Sequence, residues 1–252
     1  MKKAVFTIVH NEKYLLPLWL KYYRRYFKDS EIYVLDDDTN DGSTDNLGVN
    51  CIRHWPMKSR DNKPHPYSFD HGFLLSAVKI FQKELLTTNN MVLFTECDEF
   101  VSPHPDTGLT LNQYMENMNQ DYVRCTGWYV AQHRSEPPID LNQPIMDQRK
   151  YGYITENTSK VLLSKIPLGY GHGFHNSFGL ERSKDLLLIH LHMLDMEICW
   201  NRHNDRIQRS ICPWDGGAPH NKFKESREAF DNHRYLTGDD NKLPAYLSKI
   251  II

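Results

Sequence analysis

The residues best suited to chemistry in this chain form an acidic cluster that follows an apolar run. Residues 91–94 are apolar at every position, and Glu96-Cys97-Asp98-Glu99-Phe100 follows after one threonine. Such a run is typical of a central strand in a parallel sheet, and in a strand Glu96 and Asp98 would face the same way. Two carboxylates at that position favour Mg²⁺ or Mn²⁺, which prefer oxygen ligands. The alternative is a pair of solvated carboxylates where the strand leaves the core.

Two further polar clusters end predicted strands. They are His10, Asn11 and Glu12 after a β-branched run over residues 4–10, and Asp36, Asp37 and Asp38 after residues 31–35. An acid at the end of a strand accepts hydrogen bonds from ribose hydroxyls or a base N–H in nucleotide-binding folds. The alternatives are ordinary turn chemistry for the aspartates and a helix N-cap for Asn11.

The elements that must position these clusters alternate along the first hundred residues. The hydrophobic pattern predicts strands over residues 4–10, 31–35, 49–55 and 91–94, and helices over residues 14–27 and 69–86. Strand and helix alternating at this spacing predict right-handed βαβ units and an α/β fold with a mainly parallel sheet flanked by helices. The carboxyl ends of its strands would bring the three clusters to one edge. After residue 100 the pattern predicts a helix over 110–118, strands over 122–133, 160–166 and 186–193, and a weak terminal helix.

Composition excludes several classes of protein. The chain has 252 residues and a formal net charge of −2, so it lacks the basic surface that nucleic-acid binding requires. Its five cysteines are an odd number without a CxxC spacing, which indicates free thiols in a reducing compartment. No stretch approaches the roughly 20 apolar residues of a membrane-spanning helix. These features predict a cytoplasmic protein, with peripheral contact to a membrane left open.

Taken together, the clusters resemble the GT-A glycosyltransferases, specifically the family 2-like group. The resemblance is carried by Val9-His10-Asn11-Glu12, by Asp37-Asp38 through Asp41-Gly42-Ser43-Thr44-Asp45, and by Glu96-Cys97-Asp98-Glu99-Phe100. In that family the first two segments line the nucleotide pocket, and the third matches the metal-binding Asp-x-Asp motif. Two departures stand out: Glu96 replaces the first Asp of that motif, and the segment 36–45 is longer than the usual Asp-Asp-Gly-Ser form.

The resemblance implies a GT-A fold and a single domain over residues 1–252. Residues 1–100 would bind the nucleotide, and residues 101–252 would complete the metal site and bind the acceptor. The implied enzyme moves a sugar from a UDP- or GDP-linked donor to a hydroxyl acceptor such as a glycan, using Mn²⁺ or Mg²⁺. In this scheme Asn11, Asp36 and Asp37 lie near the base or ribose, and Lys160 neutralises diphosphate charge. An exposed lysine at the start of a strand is the other interpretation of Lys160.

A C-terminal histidine is expected to complete the metal site. In the predicted strand over residues 186–193, His190 and His192 share one face. Many GT-A enzymes bring such a histidine to the metal, and His192 is ranked before His190 and His175. The alternative is that the strand histidines are half-buried and hydrogen-bonded to the backbone.

An inverting transferase also needs a carboxylate base near the acceptor hydroxyl. Asp195 is ranked first because it ends a predicted strand close to two histidines, ahead of Glu156 and Asp215. Two other functions stay open. A sugar nucleotidyltransferase is disfavoured because no glycine precedes Gly42 to form a phosphate loop after the first strand. A non-catalytic carbohydrate-binding relative is kept open by the departure at Glu96.

Overall fold

Two β-sheets that share one hydrophobic core form the framework of the protein. A computed structural model describes residues 1–53, 71–154, 158–175, 181–208, 226–238 and 241–252. The strands are β1 (Lys3–Val9), β2 (Ile32–Asp36), β3 (Asn50–Arg53), β4 (Met91–Phe94), β5 (Glu99–Pro103), β6 (Tyr122–Arg124), β7 (Thr126–Ala131), β8 (Gly152–Ile154), β9 (Val161–Ser164) and β10 (Leu186–Met193). The α-helices are α1 (Leu15–Tyr23), α2 (His71–Leu85), α3 (Leu111–Asn117), α4 (Ile145–Gln148), α5 (Met196–Gln208) and α6 (Arg227–Arg234).

The first sheet has six strands in the order β3-β2-β1-β4-β9-β6. Strands β3, β2, β1 and β4 run parallel, β9 is antiparallel to β4, and β6 is antiparallel to β9. The prediction of a mixed α/β fold with a mainly parallel central sheet is therefore confirmed. Parts of the predicted third strand and of the second helix, residues 54–55 and 69–70, lie outside the described residues.

Helix α1 and the centre of the first sheet both belong to the shared core. All four residues of β4 are buried, as its unbroken apolar sequence predicts, and α1 buries Leu15, Trp19 and Tyr23 in the same core, where the Tyr23 hydroxyl donates to the Glu99 carbonyl of β5. Pro17 lies in the first turn of α1, where its missing N–H costs no helical hydrogen bond. The Trp19 indole N–H donates to Thr95 Oγ1 at 2.7 Å, which fixes the chain where it leaves β4.

The second sheet has four strands in the order β5-β10-β7-β8. Strand β10 is antiparallel to β5 and parallel to β7, and β8 is antiparallel to β7. The single predicted strand over residues 122–133 is wrong, because the chain passes from the first sheet to the second at the buried Cys125. The strand predicted over residues 186–193 is confirmed at both ends.

Helix α5 was not predicted, and α6 is the weak terminal helix of the sequence pattern. Cys51, Cys97, Cys125 and Cys199 are free thiols, as expected, and Cys212 lies outside the described residues. Within the part of the chain that the structure describes, no helix is both long and apolar enough to cross a membrane.

Candidate functional site

Glu96, Cys97 and Asp98 lie in a turn after β4, and Glu99 begins β5. The Glu99 N–H donates to the Glu96 carbonyl at 3.0 Å, closing a turn that carries the chain from the first sheet into β5 of the second. The expectation that Glu96 and Asp98 share one strand face is therefore wrong. Asp98 is buried, at 3% exposure, whereas the Glu96 side chain is one-third exposed. The two carboxylates have different partners.

Asp98 is surrounded by two imidazoles and one guanidinium. His190 Nε2 lies 3.5 Å from Asp98 Oδ1, His192 Nδ1 lies 3.3 Å from Oδ2, and Arg202 Nη2 lies 3.0 Å from Oδ2. One ligand atom from each of Asp98, His190 and His192 lies within 4.8 Å of the other two. Asp98 Oδ1 is buried and makes no hydrogen bond among the described residues, and the His190 imidazole lies at ion-pair distance from it. A carboxylate oxygen and two imidazole nitrogens therefore converge on one point.

The alternation of β10 places both histidines on this side of the second sheet. Leu191, between them, is fully buried in the core, and the two imidazoles are only partly exposed. In register, His190 stands between Glu99 of β5 and Tyr129 of β7. The centre of the Tyr129 ring lies 4.8 Å from that of the His190 ring, edge to face, so Tyr129 packs beside the group formed by Asp98, His190 and His192. Of the ranked histidines, the structure brings His190 and His192 to Asp98.

Electrostatics keep this cluster charged despite its burial. Burial disfavours the charge on Asp98, but Arg202 and His190 outweigh it and hold the pKa of the carboxyl well below its usual range. Burial likewise opposes protonation of His190, yet the neighbouring Asp98 carboxylate raises the His190 pKa above its ordinary value. Asp98 is consequently an anion at neutral pH.

Arg202 is the functional-site residue that sequence reasoning missed. It lies on α5, and its guanidinium donates to Glu12 Oε1 from Nε at 3.2 Å and from Nη2 at 2.8 Å, besides contacting Asp98. It therefore joins a residue that follows β1 to a residue that follows β4. The sequence around it is polar and shows no motif, so only the helical spacing of residues 196–208 offered a signal.

Lys160 lies between two carboxylates instead of facing an open pocket. Its Nζ is 2.7 Å from Glu96 Oε2 and 2.6 Å from Glu99 Oε1, and both Lys160 and Glu99 are almost fully buried. Burial opposes the charge of Lys160, but the two carboxylates outweigh it and raise the Lys160 pKa. Burial raises the pKa of Glu99 more than Lys160 lowers it. These ion pairs indicate that Lys160 and Glu96 hold the turn together. They disfavour the expected roles of Lys160 in diphosphate binding and of Glu96 in metal binding.

The loops after β1 and β2 meet at the carboxyl edge of the first sheet. His10 Nδ1 lies 2.7 Å from the Asp37 carbonyl, and the Asp37 N–H donates to the Val9 carbonyl. Asn11 has a positive φ of 52°, and its side-chain Nδ2 donates to Asp205 Oδ1 of α5 at 2.9 Å. Together with the Glu12–Arg202–Asp98 contacts, these bonds bring the three clusters of the sequence to one edge.

The three aspartates after β2 differ sharply in environment. Asp36 is fully buried, and its oxygens accept from the Thr39 N–H at 2.8 Å, from Thr44 Oγ1 at 2.9 Å and from Arg53 Nε at 3.2 Å. Asp37 is buried, and Asp38 is exposed with a left-handed φ of 60°. Asp36 thus holds its own turn together, an arrangement that favours the turn interpretation for this residue.

His175 and Asp195 are placed differently from the expectation. His175 is outside the group formed by Asp98, His190 and His192. Burial and the positive charge of Lys160 lower its pKa to about 4, so it is a neutral imidazole.

Asp195 caps helix α5. Its Oδ1 accepts from the N–H groups of Glu197 and Ile198 at 2.9 and 3.1 Å, and its Oδ2 accepts from the Ile139 N–H at 2.9 Å. With both oxygens engaged, the geometry favours a capping role over that of a base. The other two base candidates, Glu156 and Asp215, lie outside the described residues.

Comparison with known proteins adds little. No protein-family model matches the chain, and no curated protein matches it. Among solved structures, the mannosyltransferase PcManGT from Pyrobaculum calidifontis in complex with GDP-Man and Mn²⁺ matches at 15% sequence identity with a TM-score of 0.30. The match covers 53% of this chain and 36% of that protein. A likeness this distant carries no argument about substrate or mechanism.

Proposed function

We propose that this protein is a metal-dependent glycosyltransferase of the GT-A type, which moves a sugar from a UDP- or GDP-linked donor to a hydroxyl acceptor. The observation that carries the proposal is the convergence of Asp98, His190 and His192 at the carboxyl edge of a mainly parallel sheet. Ligands of α/β sheets bind at that edge. The polar loops after β1 and β2 lie along the same edge and offer His10, Asn11 and Asp37 to a nucleotide.

The residues around Asp98 fit a divalent cation. A buried carboxylate oxygen without a hydrogen bond is costly unless something binds it, and Asp98 Oδ1 is such an atom among the described residues. Asp98, His190 and His192 would hold the ion.

The kind of metal follows from the donors together with their position. One carboxylate with two imidazoles also suits Zn²⁺ and Fe²⁺, so the donor set alone does not choose. The nucleotide-type loops beside it favour Mn²⁺ or Mg²⁺, which keep coordination positions for phosphate oxygens. When bound, such an ion supplies Lewis-acid stabilisation of the diphosphate leaving group.

Release of free nucleoside diphosphate tests the proposal. The protein is incubated with a panel of UDP- and GDP-linked sugars, Mn²⁺ or Mg²⁺, and simple mono- and disaccharide acceptors. We expect at least one donor to release UDP or GDP, and we expect EDTA and Asp98→Asn to abolish the release. The control Asp121→Asn, which changes an exposed carboxylate, should leave it intact.

Three outcomes would overturn the proposal. Formation of a sugar nucleotide and pyrophosphate from a nucleoside triphosphate and a sugar 1-phosphate would identify a nucleotidyltransferase. Carbohydrate binding without turnover of any donor would identify a binding protein. Metal-independent release, unchanged in Asp98→Asn, would place the chemistry elsewhere.

A further inference from the structure

Arg202 connects the two halves of the candidate site through one side chain. From α5 its guanidinium reaches Glu12, which is 190 positions away in the sequence, and Asp98, which is 104 positions away. Arg202 is 8% exposed, and these two carboxylates are also buried. A buried carboxylate needs a partner, and a planar guanidinium holds its partners in a fixed geometry.

We propose that Arg202 is a positioning residue for the metal site, a role that rests on the function proposed above. By engaging Oδ2 of Asp98, Arg202 fixes the plane of that carboxylate and leaves Oδ1 directed toward His190. Its Nε and Nη2 both bind Glu12 Oε1, so the guanidinium is itself held from the side of β1. The chain of contacts runs from Glu12 through Arg202 to the ligand.

The helix that carries Arg202 is held at three further points. Asp195 caps its first turn, Cys199 Sγ contacts the His192 carbonyl at 2.9 Å, and Asp205 accepts from Asn11. The Cys199 contact joins α5 to the backbone of a candidate ligand. Arg202 is therefore presented from a helix that is tied both to β10 and to the loop after β1.

An electrostatic role and a positioning role for Arg202 predict opposite changes in metal affinity when Arg202 is replaced. As a nearby positive charge, Arg202 repels a divalent cation, so its loss would tighten metal binding if charge alone mattered. As the group that orients Asp98, its loss would weaken metal binding, by about tenfold or more for residues that support a ligand. A purely structural role would change stability and leave the metal affinity of the folded protein unchanged.

The test is Mn²⁺ affinity of the full chain without nucleotide, measured by electron paramagnetic resonance of free and bound Mn²⁺. We expect Arg202→Gln to weaken Mn²⁺ by about tenfold and to alter the spectrum of the bound ion. Arg202→Lys keeps the positive charge but loses the planar guanidinium that binds two carboxylates at once, so it should retain only part of the Mn²⁺ affinity. The matched control is Arg227→Gln, which removes a guanidinium that also joins two carboxylates, Glu197 and Asp231, away from Asp98.

Glu12→Gln supplies a second measurement, and it keeps the inference testable if Arg202→Gln does not fold. It releases the far end of the guanidinium while leaving Asp98 and both histidines in place, so we expect a smaller loss of Mn²⁺ affinity together with an altered spectrum of the bound ion, which loss of a distant negative charge alone would not produce. Unchanged or tighter Mn²⁺ binding in Arg202→Gln, or unchanged binding in Glu12→Gln, would overturn the positioning role. Failure of the unmodified protein to bind Mn²⁺ would instead overturn the proposed function itself.

Discussion

At the residue scale, the charges buried around Asp98 are held in ion pairs whose partners lie far apart in the sequence. Arg202 pairs with Glu12 and Asp98, and Lys160 pairs with Glu96 and Glu99. Removing one member of a buried pair typically costs about 3–5 kcal/mol, because the other charge is left without compensation. Variants at these positions therefore need a stability measurement beside every activity measurement.

Asp36 gives a pH-dependent prediction at this scale. Burial opposes its charge, but hydrogen bonds from Thr39, Thr44 and Arg53 outweigh burial and lower the Asp36 pKa. A carboxyl whose pKa is lowered by folding stabilises the protein above its unfolded pKa of about 3.9, and that stability is lost as pH falls through the folded value. We expect Asp36→Asn to cost about 1–2 kcal/mol at pH 7.

Urea unfolding of the unmodified protein and of Asp36→Asn at pH 7 and at pH 3 checks this expectation. The difference in the free energy of unfolding should shrink at the lower pH, because Asp36 is already protonated in the unfolded chain there, so the folded protein gains less from its charge. A difference that is constant across this range would show that the charge of Asp36 does not stabilise the turn.

At the element scale, α5 connects the second sheet to the loop after β1. Its first residues are held by the Asp195 cap, and its middle and end contact Asp98 and Asn11 through Arg202 and Asp205. The start of this helix therefore sets where its side chains meet the site. Displacement of α5 would move Arg202 away from both carboxylates.

Substitutions at Asp195 separate capping from base catalysis. Loss of an N-cap costs about 1 kcal/mol, and Asn caps helices as well as Asp does. We expect Asp195→Ala to lower the free energy of unfolding by about 3–5 kcal/mol, because it removes the cap and also leaves the buried Arg149, whose Nη2 lies 3.6 Å from Asp195 Oδ2, without this carboxylate. Asp195→Asn keeps the cap but loses the charge, so it should restore part of the stability with nearly normal turnover. Turnover is measured with whichever donor releases nucleoside diphosphate. A fall in kcat of about 10²-fold or more in a stable Asp195→Asn protein would show that Asp195 is the base.

Gly127 provides a second prediction at this scale, on the approach of β7 to the segment that carries Lys160. A Cβ at Gly127 would lie 1.6 Å from the Thr158 carbonyl oxygen, and the Gly127 N–H donates to Ser159 Oγ. Because the clash is with backbone, Gly127→Ala should destabilise the protein by about 3 kcal/mol or more. Gly169→Ala is the control, since nothing lies within 4 Å of its added Cβ. Equal thermal midpoints for the two variants would contradict the close approach.

At the scale of the whole molecule, the candidate metal centre lies where the chain passes from one sheet to the other. Asp98 is in the turn between β4 and β5, His190 and His192 belong to the second sheet, and Glu12 follows a strand of the first. An ion bound there would link both sheets, so its binding energy would add to the stability of the whole fold.

Thermal unfolding with Mn²⁺ measures that link. At about 100 times the dissociation constant, a ligand stabilises the folded state by about 2.7 kcal/mol, which for a chain of this size raises the midpoint by roughly 5–10 °C. EDTA should reverse the rise, and Asp98→Asn should not show it. An equal rise in Asp98→Asn would mean that Mn²⁺ binds somewhere else.

The sequence by itself determined the alternation of strands and helices in the first hundred residues and the polar ends of those strands. Strands at residues 91–94 and 186–193 were predicted with the bounds found, because an unbroken apolar run and a two-residue alternation are local properties. The same alternation put His190 and His192 on one face. The parallel sheet followed from the order of elements, which brought the clusters after residues 9, 36 and 94 to one edge.

Tertiary structure alone decided which charges meet. Lys160 and Glu96 carry no local signal that they pair across 64 positions, and Arg202 lies in a polar helix without a motif. The passage of the chain from the first sheet to the second at Cys125 also has no sequence signal. The residues on both sides of Cys125 have strand-like sequences, and β7 joins the second sheet only through its pairing with strands far along the chain. Ion pairs and sheet membership depend on distances between segments far apart in the chain, and these exist only once the core has brought the segments together.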